Sequence, residues 1–270
     1  MSVSMVTTIS KILPDGNPKE NLRRLFYHHL YNNYALNGLI KKIDLLHDGT
    51  IFLKLNNGLV FHVPFWDAVW QLREHFILYE KYHVFKEGDT IVDAGANVGI
   101  FTIKAAKTVG AQGVVIAIEP SLDNLKFLET NIKLNDLKNT IVVRKGLWNK
   151  KGRKKLYLSY MPGSHSLIYR ENIDRFSEIE VDKLDSIVKE TGIKKVDFIK
   201  MDIEGAEVEA LEGARQILRN DDLKMIIELH GNPIQKVMAL TRNLAPGSTF
   251  MFQNYKLVNN VKTRRETELW

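Results

Sequence analysis

The sequence predicts an α/β fold, a mostly parallel sheet with helices on both faces, preceded by a smaller α+β appendage. Three observations carry the prediction. From residue 88 to about residue 230, short continuous apolar segments alternate with stretches of helical periodicity, the pattern of strands buried on both faces. The first apolar segment runs into a glycine-rich turn, Gly95-Ala96-Asn97-Val98-Gly99, which opens a helix. The composition, 44% hydrophobic and 26% charged over 270 residues, suits a globular chain with one large domain and an appendage.

The appendage spans residues 1–64 and the main domain residues 65–270. Pro18 stands where a first helical turn accepts it, and Leu22, Leu25, Phe26, His29, Leu30 and Asn33 follow at helical spacing until Gly38. Residues 50–63 read as a hairpin with Asn57-Gly58 as its turn. Residues 65–84 form an aromatic-rich helix (Phe65, Trp66, Trp70, Phe76, Tyr79, Tyr82) whose stripe is read as core rather than as a substrate platform. The main domain then predicts strands at 90–94, 114–119, 141–143, 196–201 and 225–229. Helices are expected at 100–109, at 122–134 behind a Ser121 cap, from Asp185-Ser186, and at 206–218. Residues 154–159 and 178–181 look like an inserted strand pair, 249–261 like a final hairpin after Pro246-Gly247, and 262–270 like a charged tail.

No apolar run approaches the roughly 20 residues that span a bilayer, and residues 1–13 lack a secretory core, so a cytoplasmic protein is expected. The absence of cysteine excludes disulfides, thiolate nucleophiles and cysteine-type zinc sites. The net charge is +6. Part of it is local: Arg144, Lys145, Lys150, Lys151, Arg153, Lys154 and Lys155 fall in a stretch without acids. A solvated hairpin face explains this cluster, and a nucleic-acid face is the alternative, with only Trp148 and Tyr157 to supply aromatics.

Ligands of open parallel sheets bind beyond the carboxyl ends of the strands. At the first such end a dinucleotide fingerprint would place a glycine where this chain has Asp93. A carboxylate there disfavours a pyrophosphate and suits a ligand with positive charge, such as the ammonium and sulfonium of S-adenosylmethionine. Gly95 and Gly99 allow close backbone approach. Glu119 ends the next strand, where a carboxylate accepts hydrogen bonds from ribose hydroxyls. A helix cap for Asp93 and an exposed strand-end acid for Glu119 are the plainer readings.

With these residues in place, the sequence resembles the FkbM-type methyltransferases, a class I family dependent on S-adenosylmethionine. The resemblance covers residues 88–230 and rests on Gly88-Asp-Thr-Ile-Val-Asp-Ala-Gly-Ala-Asn-Val-Gly, Ile118-Glu-Pro, Asn131-Ile-Lys-Leu-Asn, Gly163-Ser-His-Ser-Leu, Leu184-Asp-Ser, Lys200-Met-Asp-Ile-Glu-Gly-Ala-Glu and Ile227-Glu-Leu-His. It implies a Rossmann-like sheet of seven strands with a reversed C-terminal hairpin, and methyl transfer to a hydroxyl of a small molecule, glycan or lipid-linked sugar, leaving S-adenosylhomocysteine. It also implies cofactor contacts at Asp93, Gly95, Asn97, Gly99, Glu119, Pro120 and Asp202, with Gly146 and Leu147 along the adenine.

A hydroxyl acceptor requires a base or a metal to become nucleophilic. Asp202 and Glu204, two apart at one strand end, and Glu228 and His230, two apart at the next, can converge on the cleft. Asp202, Glu204 and His230 are the catalytic candidates, with a divalent metal in an oxygen-rich site as the second reading. For Glu204 a helix-dipole partner is the plain alternative, and for His230 a structural histidine. His165, in a glycine- and serine-rich segment, ranks below His230. Competing functions are an RNA methyltransferase, a nicotinamide-binding protein and a cofactor-binding module without activity. An Asn/Asp-Pro-Pro-Tyr segment for base-nitrogen methylation is replaced here by Asp202-Ile203-Glu204-Gly205.

Overall fold

A computed structural model describes residues 39–46, 48–64, 72, 85–159, 162–169, 171, 173–230, 234–244, 250–253 and 256–259. The helix expected after Pro18, the aromatic helix at 65–84 (Leu72 apart) and the tail at 262–270 lie outside them.

Among the described residues, seven strands form the central sheet. In chain order they are β4 (Thr90–Ala94), β5 (Val114–Ile118), β6 (Thr140–Val143), β10 (Phe198–Met201), β11 (Lys224–Glu228), β12 (Phe250–Gln253) and β13 (Lys256–Asn259). Their spatial order is β12-β13-β11-β10-β4-β5-β6. Strands β6, β5, β4, β10 and β11 are mutually parallel, whereas β13 runs antiparallel to β11. This is the Rossmann-like sheet with a reversed final hairpin. Its strands are apolar on both faces because both faces are covered. Ile91 and Val92 are each fully buried, the first in a cluster with Phe101 and Phe198, the second in one with Ile116 and Met201. The covering helices are α1 (Ile100–Val109), α2 (Leu122–Leu134), α3 (Leu184–Glu190), α4 (Glu207–Glu212) and α5 (Ile234–Leu244). Ser121 caps α2 through the Asn124 N–H, as its side chain suits.

Two smaller sheets flank this one. Strands β1 (Ile40–Leu45), β2 (Thr50–Leu55) and β3 (Val60–Pro64) form an antiparallel meander. Its hairpin closes over three residues, Asn56, Asn57 and Gly58, because Leu55 N–H donates to the Leu59 carbonyl; Gly58 takes the left-handed φ of 89°. Leu53, Phe61 and Val63 share a core with Val98, Ile100 and Ile103, so the meander packs on the helix layer. The inserted pair is β8 (Gly152–Tyr157) against β9 (Phe176–Asp182), joined by the two-residue β7 (Gly146–Leu147) parallel to β9.

The expected helix at 206–218 is shorter. It ends at Glu212, and a separate turn of 3-10 helix follows at Ile217–Arg219. The helix ends where Gly213 packs under the β7–β8 connection, so closely that a Cβ there would collide with the Trp148 carbonyl. Strand β1, strand β7 and helix α5 add to the expected elements.

Candidate functional site

Strand register sets the site. Ala94 pairs with Ile118 and with Met201, and Met201 pairs with Ile227. The residues one step further on, Gly95, Glu119, Asp202 and Glu228, therefore stand along one edge. The chain winds outward from β4 through β5 to β6, then crosses to β10 and β11, so the order reverses beside β4. Crevices at such a reversal bind ligands.

The glycine turn is held tightly. Gly95 has φ 78°, and a Cβ there would run into the Asp202 carbonyl, so this loop and the end of β10 touch backbone to backbone. Asn97 has φ 51°, uncommon for a residue with a side chain. Its N–H donates to Glu119 Oε2 at 2.8 Å, and its Oδ1 is buried without a hydrogen-bond partner among the described residues. Gly99 is left-handed at φ 91° and precedes α1, whose first turn carries no acid and no side-chain cap.

Glu119 is buried. Its Oε1 accepts from Ser121 N–H at 2.9 Å and Asn124 Nδ2 at 3.3 Å. Burial raises its carboxyl to about 6, while the bonds from Ser121, Asn97 and Asn124 pull the other way. Pro120 follows, half-buried. Leu147 packs its side chain into the main core, and Gly146 is wedged against Ile179, Leu167 and Val181. The face these two residues offer to a ligand is thus mainly backbone.

Asp93 has a further partner that the sequence did not reveal. Its carboxylate is fully buried, accepts from Thr102 Oγ1 at 2.5 Å, and lies 3.3 Å from Lys200 Nζ. Lys200, 3% exposed, also donates to the Gly95 carbonyl at 2.7 Å. The charge expected to select a cationic ligand is thus met inside the fold, and the pair braces the glycine turn.

On the other side of Gly95 lie the catalytic candidates. His230 Nε2 is 3.8 Å from Asp202 Oδ1 and 3.6 Å from Glu204 Oε1, and its Nδ1 is 3.2 Å from Glu207 Oε1. Glu207 is fully buried and also accepts from Gly205 N–H at 2.9 Å. Burial alone would lower the imidazole pKa, but the Glu207 bond and the fields of Asp202, Glu204 and Glu207 outweigh it and raise it to about 9. Glu228 is pushed up to about 7, first by burial and then by Asp202, against the pull of His230 and Lys200. Glu204 reaches the cluster from a left-handed backbone, φ 57°, and its carbonyl accepts from Ser166 Oγ at 2.6 Å.

The 163–168 segment therefore lies over this edge: Leu167 touches Gly146, and Ile168 faces Gly205. His165 is half-buried there, and burial lowers its pKa against the opposing pull of Asp123. The basic cluster is largely answered within the fold. Arg144 binds Glu129 at 2.6 Å, Lys145 reaches Asp182 and Glu190 at 3.2 Å each, and Arg153 is 3.7 Å from Glu178. Lys154 and Lys155 lie over the rings of Trp148 and Phe176. Among the described residues no helix is long and apolar enough to cross a membrane.

Sequence reasoning assigned no role to Lys200 or Glu207. Lys200 had a signal: a lysine inside the apolar strand Phe198-Ile-Lys-Met implies a buried partner.

Comparison with known proteins shows the family. Residues 93–251 match the model of the Methyltransferase FkbM domain. The chain is 29% identical over 154 residues to Methyltransferase sdnD of Sordaria araneosa, covering 46% of this chain and 59% of that protein. It is 23% identical over 197 residues to Methyltransferase 1 of Beauveria bassiana, covering 65% and 76%. The structure of Methyltransferase FkbM from Methylobacillus flagellatus superposes with a TM-score of 0.51 at 19% identity, over 68% of this chain and 46% of that one. The chain thus spans about three-fifths of sdnD and under half of the Methylobacillus protein. With its family model covering more than half of the sequence, the chain belongs to the FkbM methyltransferase family.

Proposed function

We propose that this chain transfers the methyl group of S-adenosylmethionine to a hydroxyl of a small molecule, glycan or lipid-linked sugar. The observation that carries the reading is an adjacency. The glycine turn and the Asp202–Glu204–His230 cluster meet at one sheet edge, backbone against backbone at Gly95 and Asp202. A donor seated on the turn would present its methyl towards polar groups able to receive an acceptor.

The residues fit the donor. Asn97 Oδ1 is a buried acceptor awaiting a donor, Glu119 Oε2 has a lone pair left for a ribose hydroxyl, and the uncapped start of α1 suits a carboxylate. In the reaction an acceptor oxygen attacks the methyl carbon in line. The O–CH3 bond forms as the S–CH3 bond breaks, the sulfonium becomes the neutral thioether of S-adenosylhomocysteine, and the hydroxyl proton leaves to a carboxylate or water. The protein's part is to hold the acceptor oxygen, the methyl carbon and the sulfur in line.

Calorimetry with S-adenosylhomocysteine and NAD tests the donor site. Binding of the homocysteine compound, weakened at least tenfold in Glu119→Gln, is expected; tight NAD binding without it overturns the reading. Isotopic methyl transfer to hydroxylated acceptors tests the second half. Transfer to RNA alone, with affinity falling steeply with salt, would replace the acceptor class.

A further inference from the structure

We propose that Asp202, Glu204 and His230 form a binding site for one divalent transition-metal ion, with His230 positioned by Glu207. One ligand atom from each of the three lies within 4.8 Å of the others, and His230 Nε2 is 3.6 Å from Glu204 Oε1 and 3.8 Å from Asp202 Oδ1. Ligand atoms held about 2.1–2.4 Å from one ion stand about 3.0–3.4 Å apart when adjacent and about 4.2–4.8 Å when opposite. The three groups therefore close on a cation with little movement.

Further features point the same way. The fully buried Glu207 takes the Nδ1 side of the imidazole, which turns Nε2 towards the two carboxylates; histidine ligands of metals are oriented by this kind of carboxylate partner. Glu207 Oε2 is itself buried without a hydrogen-bond partner among the described residues, and Glu228 adds a fourth carboxylate beside the cluster. Lys200, the nearby cation, is already engaged with Asp93 and the Gly95 carbonyl. Finally, Glu204 holds a left-handed backbone one position before a glycine that would adopt it freely. Strain kept in a side-chain-bearing residue implies that the side chain is used. An imidazole with two carboxylates favours manganese, cobalt or zinc over calcium. The role of the ion, taking an acceptor oxygen so that it loses its proton near neutral pH, rests on the methyl-transfer reading; its binding does not.

The test starts from the chelator-treated 270-residue chain titrated with Mn2+, followed by the electron paramagnetic resonance of free Mn2+, and with Co2+, followed by visible absorption. The expected result is one ion per chain, with affinity at least tenfold weaker in Asp202→Asn and in Glu204→Gly. The second variant suits the φ of that position, so its loss cannot be put down to misfolding. Glu207→Gln is expected to weaken binding tenfold or more and to change the Co2+ spectrum while S-adenosylhomocysteine affinity stays as in the parent. Absence of stoichiometric binding of either ion, or an affinity unchanged from the parent in both Asp202→Asn and Glu204→Gly, overturns the site. If the ion binds and no methyl transfer is found for any acceptor, the site stands and the methyl-transfer reading fails. If transfer is equally fast in chelator and no ion binds, the reading stands and the site fails.

Discussion

At the scale of single residues, the glycine turn depends on charges it does not display. Asp93 and Lys200 are both buried, and each offsets the other's desolvation. Asp93→Asn leaves a buried lysine without its partner. The expected cost is about 3–5 kcal/mol, the range for breaking a buried ion pair, measured by urea denaturation. A stability within 1 kcal/mol of the parent, with reduced donor affinity, would instead mark Asp93 as a ligand contact. Glu119 yields a pH dependence whose sign follows from its raised pKa. In the ligand-free protein its anion is disfavoured below about 6. Ribose hydroxyls donate to the anion, so binding lowers that pKa and releases a proton as pH falls through 6 towards 5. Affinity for S-adenosylhomocysteine should therefore drop by about five- to tenfold between pH 7 and pH 5. Calorimetry in buffers of different ionisation enthalpy would register the proton, and Glu119→Gln should abolish both effects.

At the scale of elements, β3 is an edge strand of the meander, and two amides, on α2 and at its C-cap, cover that edge. Asn131 accepts from His62 N–H at 2.7 Å and donates to the His62 and Val98 carbonyls. Asn135, one helical turn later, exchanges the same pair of bonds with Val60. Residues four apart on a helix here match residues two apart on a strand, so the side chains act as the missing neighbouring strand. Asn131→Ala should cost about 2–3 kcal/mol, from buried backbone groups left unsatisfied. Hydrogen exchange should rise in residues 50–64 while β4 and β5 keep their protection; uniform loss across both would contradict this. The sequence displayed Asn131 and Asn135 but not their partners, which lie far along the chain. The parallel strands were readable because two-sided burial makes them continuously apolar, and Ser121 because its cap is local. The early end of α4 was not, since it falls where Gly213 meets the remote backbone of Trp148. Strand β7, two residues long, is defined only by its pairing with β9. In the site the same division holds: strand-end acids were visible, while the Lys200 and Glu207 pairings exist only once the strands lie side by side.

At the scale of the whole molecule, the meander and the central sheet share a boundary layer rather than a linker. Val98, Ile100 and Ile103, on the glycine turn and first helix, are buried in the same cluster as Ile51, Leu53, Leu55, Phe61 and Val63. The same helix turns its other side, with Phe101, Ala105 and Val109, to the sheet. Removing the meander would expose the former group, and burying a large aliphatic side chain contributes about 1.5–3 kcal/mol. Neither part can then lose its structure without exposing core of the other. Urea unfolding should show one transition, with the same midpoint when read by exchange in residues 50–64 and in residues 90–118. Two separated midpoints would mean that residues 1–64 form an independent unit, as the sequence pattern alone suggests. A single midpoint ties the meander to the floor of the donor site, because Val98 lies within the glycine turn. Substitutions in β2 or β3 that loosen this layer, such as Phe61→Ala at about 3–5 kcal/mol, should then lower S-adenosylhomocysteine affinity without touching a ligand-facing residue.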